Sequence, residues 1–212
     1  MGQAIILIGG PGGTGKTTTS RKLASLLDNA SHLSFFSTTM KEGYRLNISE
    51  SEMVRQWCSL QRYAFENTFA PLINKGQTLI LDTHYQMQNS EDPRIVFAKR
   101  SISMNPSFKD SHGDEFLQLI GATKIPIYLF LINTDVGIIL ERIRNDGVQT
   151  NRVYATTLNE IQVDLQKEHE FYERMVERLR RMSIPITNAI VDNSGQSNEG
   201  AALSILKKLQ RG

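Results

Sequence analysis

The chain holds a single cysteine, Cys58, in 212 residues. One thiol can make neither an internal disulfide nor a structural zinc site, which points to a reducing compartment such as the cytosol. With Val54, Trp57 and Leu60 around it in sequence and no base placed for it, Cys58 reads as a small apolar filler rather than a nucleophile. Charge of one sign is also lacking. Against 24 basic residues stand 22 acidic ones, a formal net charge of +2, which gives no electrostatic basis for general nucleic-acid binding. No apolar run is long enough to span a bilayer; residues 125–132 form the longest late in the chain, well short of the roughly 20 needed. The apolar residues 4–8 have no basic stretch before them and run into glycines, so they read as a buried strand and not as a signal peptide. There is no internal repeat. Together these absences predict a soluble, cytoplasmic protein that binds neither nucleic acid nor membrane.

What remains is a globular composition, 40% hydrophobic and 22% charged, at a length that suits one α/β domain with a substantial core. Strand-like runs alternate with helical ones, the pattern of parallel strands joined by helical crossovers. Strands are expected over residues 4–9, 32–36, 78–82, 125–132 and 185–191. Helices are expected over 16–27, 50–74, 114–120, 136–144, 156–182 and 199–209, with Ser49 or Ser51 capping the second and Asn198 the last. Two polar stretches break the pattern. Residues 86–113, which include Pro93 and Pro106, form an unusually long connection, and residues 145–155 form a second loop between two strong helices.

Gly10-Pro11-Gly12-Gly13-Thr14-Gly15-Lys16-Thr17 fits the pattern GxxxxGK[ST], with an apolar strand before it and an amphipathic helix after it. Glycines allow backbone torsions that turn successive N–H groups into a concavity for phosphate oxygens. The following helix adds the positive end of its dipole. In such a loop Lys16 reaches the β- and γ-phosphates, the Thr17 hydroxyl ligates Mg²⁺, and Thr18 is placed to contact the α-phosphate. The pattern therefore predicts a loop that binds a nucleotide together with Mg²⁺.

A GTPase would carry an Asn-Lys-x-Asp reader of guanine; the nearest match, Asn133-Thr134-Asp135, lacks the lysine and the spacing. Helicase and motor cores need a longer chain, which leaves a small-molecule kinase. The run 78–82 ends in Asp82, which would emerge at the carboxyl end of its strand and hold a Mg²⁺-bound water. Arg142, Arg144 and Arg152 flank or occupy the loop 145–155. Planar guanidiniums there would offset charge on a transferring phosphoryl group while the loop, as a lid, excludes water. For Arg144 alone, a solvated helix end is as good a reading.

The loop GGPGGTGKTTT, residues 36–40, Glu52-Met53 with Arg55 and Gln61, Leu81-Asp82-Thr83-His84, and Arg142 with Asn145-Asp146, Asn151-Arg152, Thr156-Thr157, Glu160 and Gln162 form a series along most of the chain. In these pieces the chain resembles the archaeal-type adenylate kinases, a branch of the P-loop nucleoside monophosphate kinase superfamily. The resemblance implies a three-layer P-loop kinase fold, a five-stranded parallel sheet in the order 2-3-1-4-5 with helices on both faces and a short lid. It implies Mg-ATP as donor and a cytosolic homo-oligomer, a trimer or a dimer. One domain would span residues 1–212, with an acceptor-binding helical segment at about 37–75. Lys16, Asp82, Arg142 and Arg152 would be catalytic. Ser37, Met40, Arg55, Gln61 and His84 would face the acceptor. After Asp-Thr-His the family carries a Gly-Tyr-Leu-Pro-Gly-Leu-Pro stretch, which this chain lacks. The insertion 86–113, with Arg94, Lys99, Arg100 and Lys109, stands there instead and would rebuild the acceptor pocket, placing Arg94 at the substrate.

The acceptor can then be a phosphate or a hydroxyl. A phosphate is already anionic at neutral pH and needs cationic clamps, whereas a hydroxyl needs a positioned carboxylate. The segment after the second strand, Phe35 to Met40, holds no carboxylate, which favours a nucleoside monophosphate such as AMP. The alternative is a phosphorylated alcohol resembling a phosphomevalonate, with Asp82 as the base. His32, His112 and His169 show no ligand spacing and read as structural or exposed. The arginines at 174, 178, 180 and 181 read as a solvated helix face.

Overall fold

Ile5-Ile6-Leu7-Ile8-Gly9 offers no polar side chain to water, and a strand of that composition needs cover on both faces. In the computed structural model all five residues are buried and form β1 (Ile5–Gly9), the central strand of the sheet. The structure describes residues 2–49, 52–53, 56–83, 112–145, 157–195 and 198–210, with the backbone alone at 58, 112–115 and 198. The insertion as far as residue 111, the loop 146–156, and with them His84, Arg94 and Arg152, lie outside the described residues, as do Arg55 and the side chain of Cys58.

Along the chain β1 is followed by α1 (Lys16–Leu26), β2 (Ala30–Ser34), α2 (Phe35–Arg45) and α3 (Trp57–Ala64). A π-helical turn (Phe65–Phe69) joins α3 to α4 (Ala70–Asn74), and β3 (Thr78–Thr83) follows. Then come α5 (His112–Ala122), β4 (Ile127–Asn133), α6 (Val136–Asn145), α7 (Leu158–Arg181), β5 (Ile186–Asp192) and α8 (Asn198–Leu209). All strand pairings are parallel, in the order β2-β3-β1-β4-β5. This is the three-layer architecture and strand order that the family resemblance implies.

Strand alternation divides the core between the two faces. Ile6, Ile8, Ile80 and Phe130 face α1 and α8, where Leu23, Ala201, Ala202 and Ile205 close the layer. Ile5, Leu7, Leu79, Leu81 and Leu129 face the opposite layer, built from Phe35, Phe69, Phe116, Tyr172, Met175 and Leu179. Among the described residues no helix is long and apolar enough to cross a membrane.

Two expected elements need correction. The second strand runs over Ala30–Ser34, two residues earlier than the apolar pattern suggests, and Phe35-Phe36 open a helix instead. Two adjacent phenylalanines favour a strand locally. The packing of Phe35 against Phe116 at 4.5 Å and Phe69 at 5.9 Å overrides that preference. The long helix expected over 50–74 contains a π-helical turn, in which the Ala70 N–H donates to the Phe65 carbonyl. That turn lies just before Pro71, which has no N–H and whose ring excludes the regular bond to the carbonyl four residues back. Ser49 is placed as expected at the next helical turn: its Oγ accepts from the Glu52 N–H at 3.4 Å. At α7, Thr157 and Glu160 cap each other reciprocally, each side chain accepting from the other's backbone N–H.

Candidate active site

The loop between β1 and α1 is held open by three glycines in the left-handed region: Gly10 at φ 151°, Gly13 at 80° and Gly15 at 87°. Space is tight as well as torsion. A Cβ on Gly10 would lie 2.8 Å from Thr14 Oγ1, and one on Gly13 would lie 3.0 Å from the Ile139 side chain. Thr14 Oγ1 donates to the Pro11 carbonyl at 2.9 Å and draws the loop into a ring.

The Thr14 carbonyl in turn accepts from three directions. Thr134 Oγ1, in the turn after β4, donates at 3.2 Å. Asn193 Nδ2, just beyond β5, donates at 2.8 Å. Arg142 Nη1, in the last turn of α6, donates at 3.3 Å and reaches the Gly13 carbonyl at the same distance. The loop is thus fixed through its carbonyls, without spending the N–H groups that a phosphate would need. Asn133-Thr134-Asp135, the nearest approach to a guanine reader, has other work: Thr134 anchors this loop, and Asp135 Oδ1 accepts from the N–H groups of Gly137 and Ile138 at the start of α6.

Lys16 opens α1, and its Nζ donates to the Pro11 carbonyl at 3.2 Å, folded back over the mouth of the loop. Asp82, on β3, pairs in register with Ile8 of β1 and is 3% exposed. Burial pushes its carboxyl up. Hydrogen bonds from His32 and Thr17, with the nearby charges of His32 and Lys16, outweigh that and hold it below the ordinary carboxylate value. Asp82 is therefore an ionised group joined to Thr17, one helical position beyond Lys16. His32, read from sequence as structural or exposed, is half-buried on β2, with Nε2 3.0 Å from Asp82 Oδ2. A carboxylate only accepts, so Nε2 carries the proton and donates.

Mg²⁺ takes oxygen donors, keeps several waters, and needs only one or two groups from a protein beside the phosphates of its nucleotide. The Thr17 hydroxyl and Asp82 carboxylate make such a set. Among the described residues there is no cluster of three histidine, cysteine or carboxylate side chains of the kind a protein-only metal site would need.

Of the other sequence candidates, Gly12 is half-buried in the loop, Pro11 is buried, and Thr18 is exposed. Ser37 is exposed in the first turn of α2, while Met40 and Gln61 are buried, Gln61 at 2%. Arg144 is exposed at the end of α6. The structure thus gathers the loop, Lys16, Thr17, Asp82 and Arg142. Motif reading missed His32, Thr134 and Asn193. Their signal is positional: each stands at or beside a strand that the order β2-β3-β1-β4-β5 brings to the carboxyl end of the sheet.

Compared by sequence, the chain matches no family model and no curated protein. Compared by structure, it resembles a thymidylate kinase from Candida albicans, with a TM-score of 0.56 at 15% identity over 99% of this chain and 92% of that one. At that identity the likeness establishes the fold, an α/β P-loop kinase fold built on a five-stranded parallel sheet.

Proposed function

We propose that the chain is a phosphotransferase of the nucleoside monophosphate kinase type, moving the γ-phosphoryl group of Mg-ATP to the phosphate of a nucleoside monophosphate. The convergence of Lys16, Thr17 and Asp82 at one end of the glycine loop carries this reading. Lys16 would leave the Pro11 carbonyl for the β- and γ-phosphates, exchanging a neutral acceptor for charged ones. Thr17 and Asp82 would hold Mg²⁺, which would supply positive charge to offset that of the phosphates. Arg142 has five N–H donors, and Nη1 serves the loop carbonyls here. The guanidinium can therefore fix the loop and face the transferred group together. In this reading Arg152 would join it from the lid, and Arg55, Gln61, His84 and Arg94 would face the acceptor.

The nature of the acceptor is supported by two observations. Residues Phe35 to Met40, at the start of α2, present no carboxylate, and the first one on that helix, Glu42, is tied to Thr68 Oγ1 at 3.0 Å. The alternative acceptor, an alcohol, would require Asp82 to take a proton. A carboxyl held below its ordinary value is a weak base for that step, and it suits a metal-holding role better. An acceptor that is already a phosphate needs no base. The sequence pieces shared with archaeal-type adenylate kinases favour AMP within this class.

Coupled ADP release with Mg-ATP and a nucleoside monophosphate tests the assignment. Lys16→Ala should lower turnover by about 10²–10³-fold, the usual cost of removing one group that stabilises transition-state charge, with an unchanged fold by circular dichroism. Undiminished turnover in that variant would remove the glycine loop from the mechanism.

A further inference from the structure

The face of the sheet that meets α1 is apolar along Ile6, Ile8 and Ile80, and His32 is set into it. His32 pairs in register with Ile80 and Ser34 pairs with Asp82, so His32 stands one pleat behind Asp82 on the same face and reaches forward to it. The contact is short and sheltered: Nε2 to Oδ2 is 3.0 Å, with the two side chains 13% and 4% exposed. A polar ring in such a place needs a partner to offset its lost hydration, and Asp82 is that partner.

The carboxylate is approached from two strands and a helix. β1 lies on one side of it, β2 lies on the other as the edge strand, and Thr17 comes from α1. From β2 the opposite residue is the short Ser34, and His32 is the side chain that reaches across the strand gap. With one oxygen bound to the imidazole, the carboxylate cannot turn about its Cβ–Cγ bond without breaking a buried hydrogen bond. We propose that His32 is a positioning residue for the magnesium–nucleotide site: it locks Asp82 in the orientation that meets the metal's coordination shell beside Thr17. The inference rests on the nucleotide reading above.

The two stand or fall separately in one experiment. Nucleotide affinity is measured by calorimetry for ATP in EDTA and for ATP with Mg²⁺, and Mn²⁺ is titrated into the ATP complex by electron paramagnetic resonance. Wild type, His32→Ala and His32→Gln are compared, with melting temperatures taken alongside. For His32→Ala the affinity for ATP in EDTA should stay within about threefold of wild type, because the glycine loop is untouched. Mn²⁺ affinity in the complex should fall about 10–100-fold, the usual cost of removing a group that orients a metal ligand. Turnover should fall through kcat, with the KM of the acceptor unchanged. His32→Gln carries an amide N–H that reaches Oδ2 and should recover most of the Mn²⁺ affinity.

Loss of melting temperature with native Mn²⁺ affinity in both variants would show His32 to be structural only and would overturn the inference, leaving the nucleotide reading in place. Failure of wild type to bind ATP more tightly with Mg²⁺ would overturn both. If the alanine variant does not fold, the glutamine variant decides: native kcat and Mn²⁺ affinity support positioning through the donated hydrogen bond, and a 10-fold or greater loss in a folded protein overturns it.

Discussion

Substituting Asn193 tests whether the phosphate loop is held from behind by its carbonyls. The side chain is fully buried and donates to the Thr14 carbonyl at 2.8 Å, the shortest of the three bonds that carbonyl accepts. In Asn193→Ala, Thr14 keeps Thr134 and Arg142, so no acceptor is orphaned and the lost hydrogen bond costs about 1 kcal/mol net. The void left by three buried heavy atoms adds roughly 0.5–1 kcal/mol. The sum, about 1.5–2 kcal/mol, corresponds to a fall in Tm of roughly 3–8 °C for a domain of this size. In Asn193→Asp a carboxylate oxygen would replace the amide N–H that faces the Thr14 carbonyl, in a fully buried place, and the cost should exceed about 3 kcal/mol. The order is therefore wild type, then alanine, then aspartate. ATP affinity should follow it, because a slackened loop must be reordered around the phosphates. Urea denaturation and calorimetric ATP titration read the two quantities, with the exposed Lys207→Ala as a control expected within about 0.5 kcal/mol of wild type. An alanine variant as stable as that control, with native ATP affinity, would refute the idea that Asn193 braces the loop.

Gly13→Ala and Gly76→Ala share a left-handed backbone, φ 80° and 76°, but a Cβ at Gly13 would meet the Ile139 side chain at 3.0 Å while one at Gly76 meets nothing within 4 Å. Both should lose about 1 kcal/mol to torsion, and only Gly13→Ala should lose more and bind ATP at least about tenfold more weakly; equal losses and equal affinities would contradict the steric argument. Tyr172, buried in the core, has its phenol pushed above 10 by burial, partly opposed by the hydrogen bond from Asn188. A raised folded value means that its contribution is fully present below the unfolded value and is lost as pH rises through the folded one. Tyr172→Phe should thus be less stable at neutral pH by about 0.5–1.5 kcal/mol, and the gap should close above about pH 10; a constant gap across that window would count against it.

The glycine loop, its flanking strand and helix, and Asp82 were legible because each is a local pattern: apolar run, glycine spacing, a carboxylate ending a buried strand. The strand order came from the resemblance carried by the motifs, and the observed sheet agrees with it. What escaped depends on contacts far apart in sequence. Phe35-Phe36 reads locally as strand and folds as helix because Phe116, some eighty residues on, packs against it. His32 is separated from Asp82 by 50 residues, and Asn193 from Thr14 by 179; only the pairing of strands brings them together. Thr157 and Glu160 were noted as pieces of a lid motif, and in the fold they also cap α7.

The central claim is acceptor-dependent phosphoryl transfer, and following the label from γ-³²P-ATP in the presence of Mg²⁺ tests it most directly. Each nucleoside monophosphate is offered in turn, with phosphorylated and free small alcohols as a parallel set. The account predicts label in a nucleoside diphosphate, strongest with AMP, and appearing about 10²–10³-fold more slowly in Lys16→Ala. Label appearing only as inorganic phosphate, or only in an alcohol, would contradict it.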